Sequence, residues 1–393
     1  MSKPDAAFDD DSLVRDEALS RWQHRIGLVP RDGLGLVRRA VFWTLVAWAP
    51  MAVWALLNGR AIGTALDEPL LTHFGVHMRF LVAVPLLILA EGPVHAATTG
   101  LLRQLERSGL VPESALPRLR QVARDTVRLR RAAAPWLMIL GVALAIATID
   151  AVTHRAHELV WAEDADAAPG GIGFGGWWLL YVARPIFLTI VLGWLWRTVL
   201  LTVLFVRLAR LGLAIVPTHP DGAGGLAFVE RVPKAFAMVV FATSAVLAAG
   251  WAHDVVYHGL EPLSLRVPMA AFVVLSVLVF CGPLLAFAGC LGRAKKQALL
   301  DYGALFARHG RLVHQRWIEG KPLADDALLN APELGPIADT QAAYDAVRRM
   351  RVVMLQKGTI LTLALAAIVP FIVVIALKIP VREILIKLVK VLL

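Results

Sequence analysis

Two places in this chain carry one pattern, Asp150-x-x-x-His154 and Asp254-x-x-x-His258. Residues four apart lie on one helix face, about 6 Å apart along the axis, so a carboxylate and an imidazole can meet. Such a carboxylate–imidazole pair is able to share a proton near neutral pH. Two pairs facing each other would supply two carboxylates and two imidazoles, a set that suits a proton, an ion or a divalent metal. Arg184 is the natural counter-charge for either aspartate. His73, His77, His253 and Tyr257 are expected at the same level. Three readings stand open: an ion or proton pathway, a metal site, and polar residues that only cap helices and mark a boundary with water.

Glu91 and His95 form a further i, i+4 pair. Facing inward, Glu91 would be the inner end of a proton relay; facing outward, it simply ends a helix. A third feature is the run Pro217-Thr218-His219-Pro220-Asp221-Gly222-Ala223-Gly224-Gly225-Leu226. Its prolines stop the preceding helix, and Gly222, Gly224 and Gly225 permit positive φ. Backbone N–H groups in such a run, beside His219 and Asp221, can receive an anion. The run lacks a Gly-Lys-Ser/Thr ending and follows no strand, so a nucleotide-binding P-loop is not expected. A tight turn, a gating hinge and a partner contact remain as its roles.

Seven apolar stretches must position these groups: 41–57, 80–90, 136–149, 177–206, 235–251, 267–291 and 360–377. Counting flanks, most approach the roughly 18–20 residues a bilayer crossing needs, and the second does so as 76–97. With 58% hydrophobic and only 18% charged residues, the composition excludes an ordinary soluble domain. The expected fold is an all-α integral membrane protein of about seven transmembrane helices. The net charge of +10 is then a matter of membrane topology, and no nucleic-acid partner is expected.

Arginine and lysine concentrate before the first stretch and after the second, fourth and sixth, which predicts a cytoplasmic N-terminus and an external C-terminus. The segments read as 1–35, a cytoplasmic N-terminal segment; 36–291, six membrane helices with cytoplasmic helical extensions at 97–132 and 207–234; and 292–351, a cytoplasmic helical insertion. The seventh helix follows at 352–378, and 379–393 reads as an amphipathic helix on the outer leaflet.

The third and fifth stretches end alike. The even-numbered ones each bring a proline close to an arginine, at Arg79 and Pro85, Arg184 and Pro185, and Arg266 and Pro268. Three parallel in–out–in hairpins and a lone last helix would explain this, as would flanking charge and interfacial proline without ancestry.

Arg118, Arg120, Arg124, Arg128, Arg130 and Arg131 crowd one segment, where anionic lipid is the first expected partner. Packing against the acidic groups of 323–344 is the second. A homo-oligomer is compatible with the large apolar faces. Cys281 and Cys290, nine apart, fall on opposite sides of one helix and cannot pair. No His-Glu-x-x-His or Gly-x-Ser-x-Gly motif occurs, so neither an enzyme nor a cofactor is expected.

The segment Thr218-His219-Pro220-Asp221…Gly224-Gly225-Leu226, with the general layout of spans, resembles a family of uncharacterised bacterial multi-pass inner-membrane proteins. The resemblance implies a plasma-membrane location and carries no activity. An ion- or proton-linked channel or transporter is the leading expectation. A non-transporting scaffold or sensor with partners on its basic helices is the alternative.

Overall fold

A computed structural model describes residues 27–28, 34–62, 69–153, 159–162, 172–321 and 336–378, without the side chains of 150–153, 160, 336 and 337. Every element is helical, and no strand occurs among the described residues. Among the described residues six helices are long and apolar enough to cross a membrane, or seven when one bent pair counts as a single span. Lipid offers no water to unpaired backbone groups, and a helix is the element that satisfies them all within one segment.

The helices relevant to function are α1 (Leu36–Leu57), α2 (Phe74–Arg107), α3 (Leu116–Arg131), α4 (Ala133–Thr153) and α5 (Phe174–Ala209). They are followed by α6 (Ala237–Tyr257), α7 (Arg266–Cys281), α8 (Ala288–Val313), α9 (Pro336–Arg349) and α10 (Lys357–Ala376). The tightest pairing is α6 on α10. Ser244, Ala245 and Ala248 are buried on α6, as are Leu363, Ala367, Phe371 and Val374 on α10. Small side chains let two backbones approach closely, which matters where lipid removes the hydrophobic drive between helices. The Ser244 hydroxyl donates to the Ala367 carbonyl across this seam.

α6 also packs on α2, α7 packs on α10, and α1 packs on α2 and the start of α5. α4 leans on α5, leaving Leu137, Met138, Val142 and Ile149 exposed. α9 lies on α8, where Lys295 Nζ donates to the carbonyls of Arg348 (2.8 Å) and Met350 (2.6 Å) at the negative end of α9.

α3 and α4 meet at a bend of 41°. The Pro135 ring would collide with the Arg131 carbonyl in a continuous helix, so the chain turns at Ala132, with ψ 131°. Trp136 Nε1 donates to the Arg130 carbonyl at 3.2 Å and covers part of the break. The third apolar stretch thus joins the basic helix through this bend, and the two together make the seventh candidate span.

α2 and α5 share more than a proline. Both start Phe-Gly, at Phe74 and Phe174, one hundred residues apart. Both then pass through a π-helical segment, Met78–Ala83 and Leu179–Ala183, and reach Pro85 and Pro185. α7 is preceded by a 3-10 turn, Pro262–Leu265, and has no π segment. The structural likeness is thus twofold, narrower than the threefold pattern read from proline and arginine. Most of 1–35, the acidic loop 322–335 and the expected helix at 379–393 lie outside the described residues.

Candidate functional site

Glu91 opens a new helical turn just after the break in α2 at Ala90. Its carboxylate is 4% exposed and engages two arginines on two other helices. Arg39 of α1 bonds Oε2 through Nη1, and its Nη2 lies 3.3 Å from Oε1. Arg197 of α5 donates through Nη2 to Oε1 at 2.8 Å. A buried carboxylate is costly unless paired and hydrogen-bonded, and here both oxygens are served. The Arg197 guanidinium also sits 4.6 Å from the Trp194 ring centroid. Trp194 in turn donates its indole N–H to the Leu87 carbonyl at 3.2 Å, one turn before Glu91.

This cluster closes one end of a cavity of about 550 Å³ between α1, α2, α4 and α5. That volume lies within the ~300–1,000 Å³ of ordinary small-ligand sites. Along α5 its wall is the stripe Tyr181, Pro185, Thr189, Gly193 and Arg197, which covers about 24 Å of helix. Leu137, Leu140 and Leu144 of α4 face that stripe, and the walls beyond the charged end are mostly apolar. Gly193 leaves room for Trp136, since a Cβ there would stand 3.1 Å from the Trp136 ring. Arg39 Nε and Thr189 Oγ1 are buried on this cavity and have no hydrogen-bond partner. His95 lies one turn beyond Glu91 and is half-buried; its carbonyl accepts the Thr99 hydroxyl at 2.9 Å.

The Asp-x-x-x-His geometry is not realised at its described copy. α6 ends at Tyr257, so His258 is the first residue off the helix (φ −107°, ψ 8°) and Gly259 turns the chain at φ +68°. The His258 N–H still donates to the Asp254 carbonyl at 3.0 Å, yet the two side chains are not joined as an ion pair. The His258 ring instead lies 5.5 Å from that of His253. Asp254 forms no ion pair with His258 or with Arg184 among the described residues, and Arg184 is buried near the start of α5. Asp150 stands in the last turn of α4, but its side chain and all of His154 lie outside the described residues. α4 packs on α5 while α6 packs on α2 and α10, so the helices carrying the two aspartates lean on different neighbours. No group of three or more His, Cys, Asp or Glu side chains is placed to hold a metal among the described residues.

His73 stacks on His253 with centroids 5.1 Å apart, and Tyr257 packs on His253 at 4.7 Å. His77 accepts the Trp48 indole N–H on Nδ1 (3.1 Å), which leaves Nε2 to donate to the Leu70 carbonyl at 3.0 Å. Those two bonds fix a neutral ring with its proton on Nε2.

The glycine loop does hold an anion, and it is the chain's own. Asp221 Oδ1 accepts from the N–H of Ala223 (2.8 Å) and Gly225 (3.1 Å), and Oδ2 from that of Ala227 (3.0 Å). His219 Nδ1 is 3.0 Å from Oδ1. Burial alone would raise the Asp221 pKa, but the three backbone donors and His219 hold it below its usual value. Gly222, Gly224 and Gly225 all take positive φ to wrap this carboxylate. Arg351 latches the loop from outside: its N–H donates to the Gly222 carbonyl at 2.8 Å and its Nη1 to Glu230 Oε1 at 3.1 Å.

Of the basic residues on α3, Arg118, Arg120, Arg124, Arg128 and Arg131 are exposed. Arg130 departs from the expected surface patch and is fully buried, at 0% exposure. Arg120 reaches Glu106 of α2 at 2.6 Å. α3 packs on α5, while the only described part of the acidic segment, within α9, lies on α8.

The fold and its buried charges define an all-α membrane-embedded protein. Comparison with protein families, with curated proteins and with solved structures gives no match for this chain.

Arg39 and Arg197 went unnoticed as partners of Glu91 because both read as ordinary flanking charges. A signal was present. Glu91 is the one acid between residues 74 and 105, and Arg197 is one of two charges between 174 and 206. Isolated opposite charges in two apolar runs call for each other.

Proposed function

We propose that this chain is a multi-pass protein of a bacterial inner membrane, with a cytoplasmic N-terminus, that carries or conducts an ion through the four-helix cavity. The observation supporting this is the Glu91 carboxylate, held by arginines from two other helices at the end of a cavity about 550 Å³ in volume. Ionisable groups at membrane depth are costly and mark pathways or binding sites. The excess of arginine at the end bearing α3 and the glycine loop supports the orientation.

The test is flux in vesicles reconstituted with the full chain, followed with a pH-sensitive dye and an anion-quenched dye. Glu91→Gln and Leu140→Trp, the second filling the cavity from its exposed rim, are each expected to abolish most of the flux. Flux equal to wild type in both variants overturns the proposal. A scaffold or sensor remains the second reading, favoured by the five exposed arginines on α3, which offer a surface to anionic lipid or an acidic partner.

A further inference from the structure

The four-helix cavity is polar at one end and apolar along its length. Arg39, Glu91 and Arg197 form the polar end, and Leu137, Leu140 and Leu144 line the wall that α4 contributes. Arg39 and Arg197 bring two guanidiniums to one carboxylate there. The Arg39 Nε donor has no partner, and neither does the Thr189 hydroxyl farther along the same cavity. Farther along α5 the threonine hydroxyls turn back onto the carbonyl four residues earlier, as Thr198 does to Trp194 at 3.0 Å and Thr202 to Thr198 at 2.9 Å. Thr189 instead leaves its hydroxyl on the cavity. Buried donors without acceptors are unfavourable, and they locate where a ligand's oxygens belong.

Access points the same way. Leu137, Leu140, Leu144 and Tyr181 line the cavity and are themselves exposed on the flank of α4 and α5. That flank belongs to helices apolar enough to lie in lipid, so the cavity opens sideways toward acyl chains.

Building on the reading of this cavity as the functional site, we propose that its ligand is an anionic amphiphile that enters from the bilayer. Its phosphate head meets Arg39 and Arg197, and its chain lies along α4 and α5. A free inorganic anion would use the arginines and leave the apolar walls unfilled. A zwitterionic lipid would bring a cation against two guanidiniums. A guanidinium suits phosphate because its planar donors match the oxygen geometry.

The proposal is tested with the full chain in nanodiscs, using phosphatidate brominated on its acyl chains as the probe. Bromine quenches tryptophan on contact, and Trp43 and Trp136 line the cavity. Brominated phosphatidylcholine and inorganic phosphate are the comparators. Phosphatidate is expected to give a saturable quench, at least about tenfold tighter than phosphatidylcholine. Trp136→Phe should remove much of that quench, and Arg39→Gln should erase the preference. Thr189→Val, which removes one hydroxyl and keeps the shape, should weaken binding severalfold without altering the fold.

Equal quenching by the two lipids overturns the inference, as does a preference that survives both Arg39→Gln and Thr189→Val. Competitive displacement of phosphatidate by inorganic phosphate also overturns it, in favour of a plain anion site. Should flux depend on Glu91 while no lipid preference exists, the amphiphile falls and the transport reading stands.

Discussion

Arg197 Nη2 donates to Glu91 Oε1 at 2.8 Å while Arg39 bonds the other oxygen, so one carboxylate ties α1, α2 and α5 together. Breaking such a buried pair from the acidic side takes the Glu91 charge from two guanidiniums at once. Glu91→Gln should therefore cost about 3–5 kcal/mol. Arg39→Gln should cost less, because Arg39 is 13% exposed against 5% for Arg197 and leaves the Arg197 bond intact. Denaturant titration in detergent measures both. An order of effects with Arg39→Gln the more damaging would contradict the assigned geometry.

Gly224 sits at φ +64°, and a Cβ there would stand 2.3 Å from Ile215 Cγ2. Cγ2 sits directly on the Ile215 Cβ, so clearing it takes a change of χ1 rotamer that turns the other γ carbon as well, or a backbone shift. Gly224→Ala should cost more than Gly212→Ala, whose φ is +73° but whose Cβ would meet nothing within 4 Å. The second isolates left-handed strain, about 1–2 kcal/mol. Thermal midpoints of the two variants give the comparison, and equal shifts would remove the steric argument.

Asp221 has a folded pKa below its unfolded one, so its contribution is complete above the usual carboxylate range. That contribution is lost as pH falls through the depressed value. The Ala223, Gly225 and Ala227 amides should stay protected from hydrogen exchange at pH 5 and lose protection only in stronger acid, once intrinsic rates are allowed for. Asp221→Asn should open the same amides at all pH values. Unchanged protection in that variant would mean the carboxylate is not what holds the loop.

The proposed orientation has its own check. Cys281 is buried and Cys290 half-buried, so the native thiols should give little background. Arg124→Cys places a thiol on the exposed face of α3. An impermeant maleimide should label it in inverted vesicles and leave it untouched in intact cells. Labelling in intact cells would reverse the topology.

The helical, membrane-embedded fold was legible in the sequence, because the length of each apolar run is set by the bilayer rather than by tertiary detail. Pairings between runs were not. The i, i+4 rule placed His258 one turn from Asp254, and its N–H does bond the Asp254 carbonyl, but His258 caps the helix and the side chains form no ion pair; helix ends are the least constrained part of such a pattern. Glu91 stood out as an isolated acid, yet its partners come from positions 39 and 197, and only the packing of three helices selects them. The glycine loop was readable as an anion cradle. That the anion is Asp221, inside the loop itself, depends on backbone angles that composition does not encode.

The π segment at Met78–Ala83 carries the last consequence. A π turn fits one more residue into its coil than an α turn does, so everything downstream is displaced by one step around the axis. Deleting a single residue there would let α2 run as a plain α-helix with the following side chains kept in place, whereas closing the π turn to α with every residue retained would swing them through about 100°. Glu91 would then look toward a different neighbour, away from both arginines. The azimuth of the buried acid is thus set by one surplus residue, roughly two turns away, in a stretch with no charge-bearing partner of its own in the site.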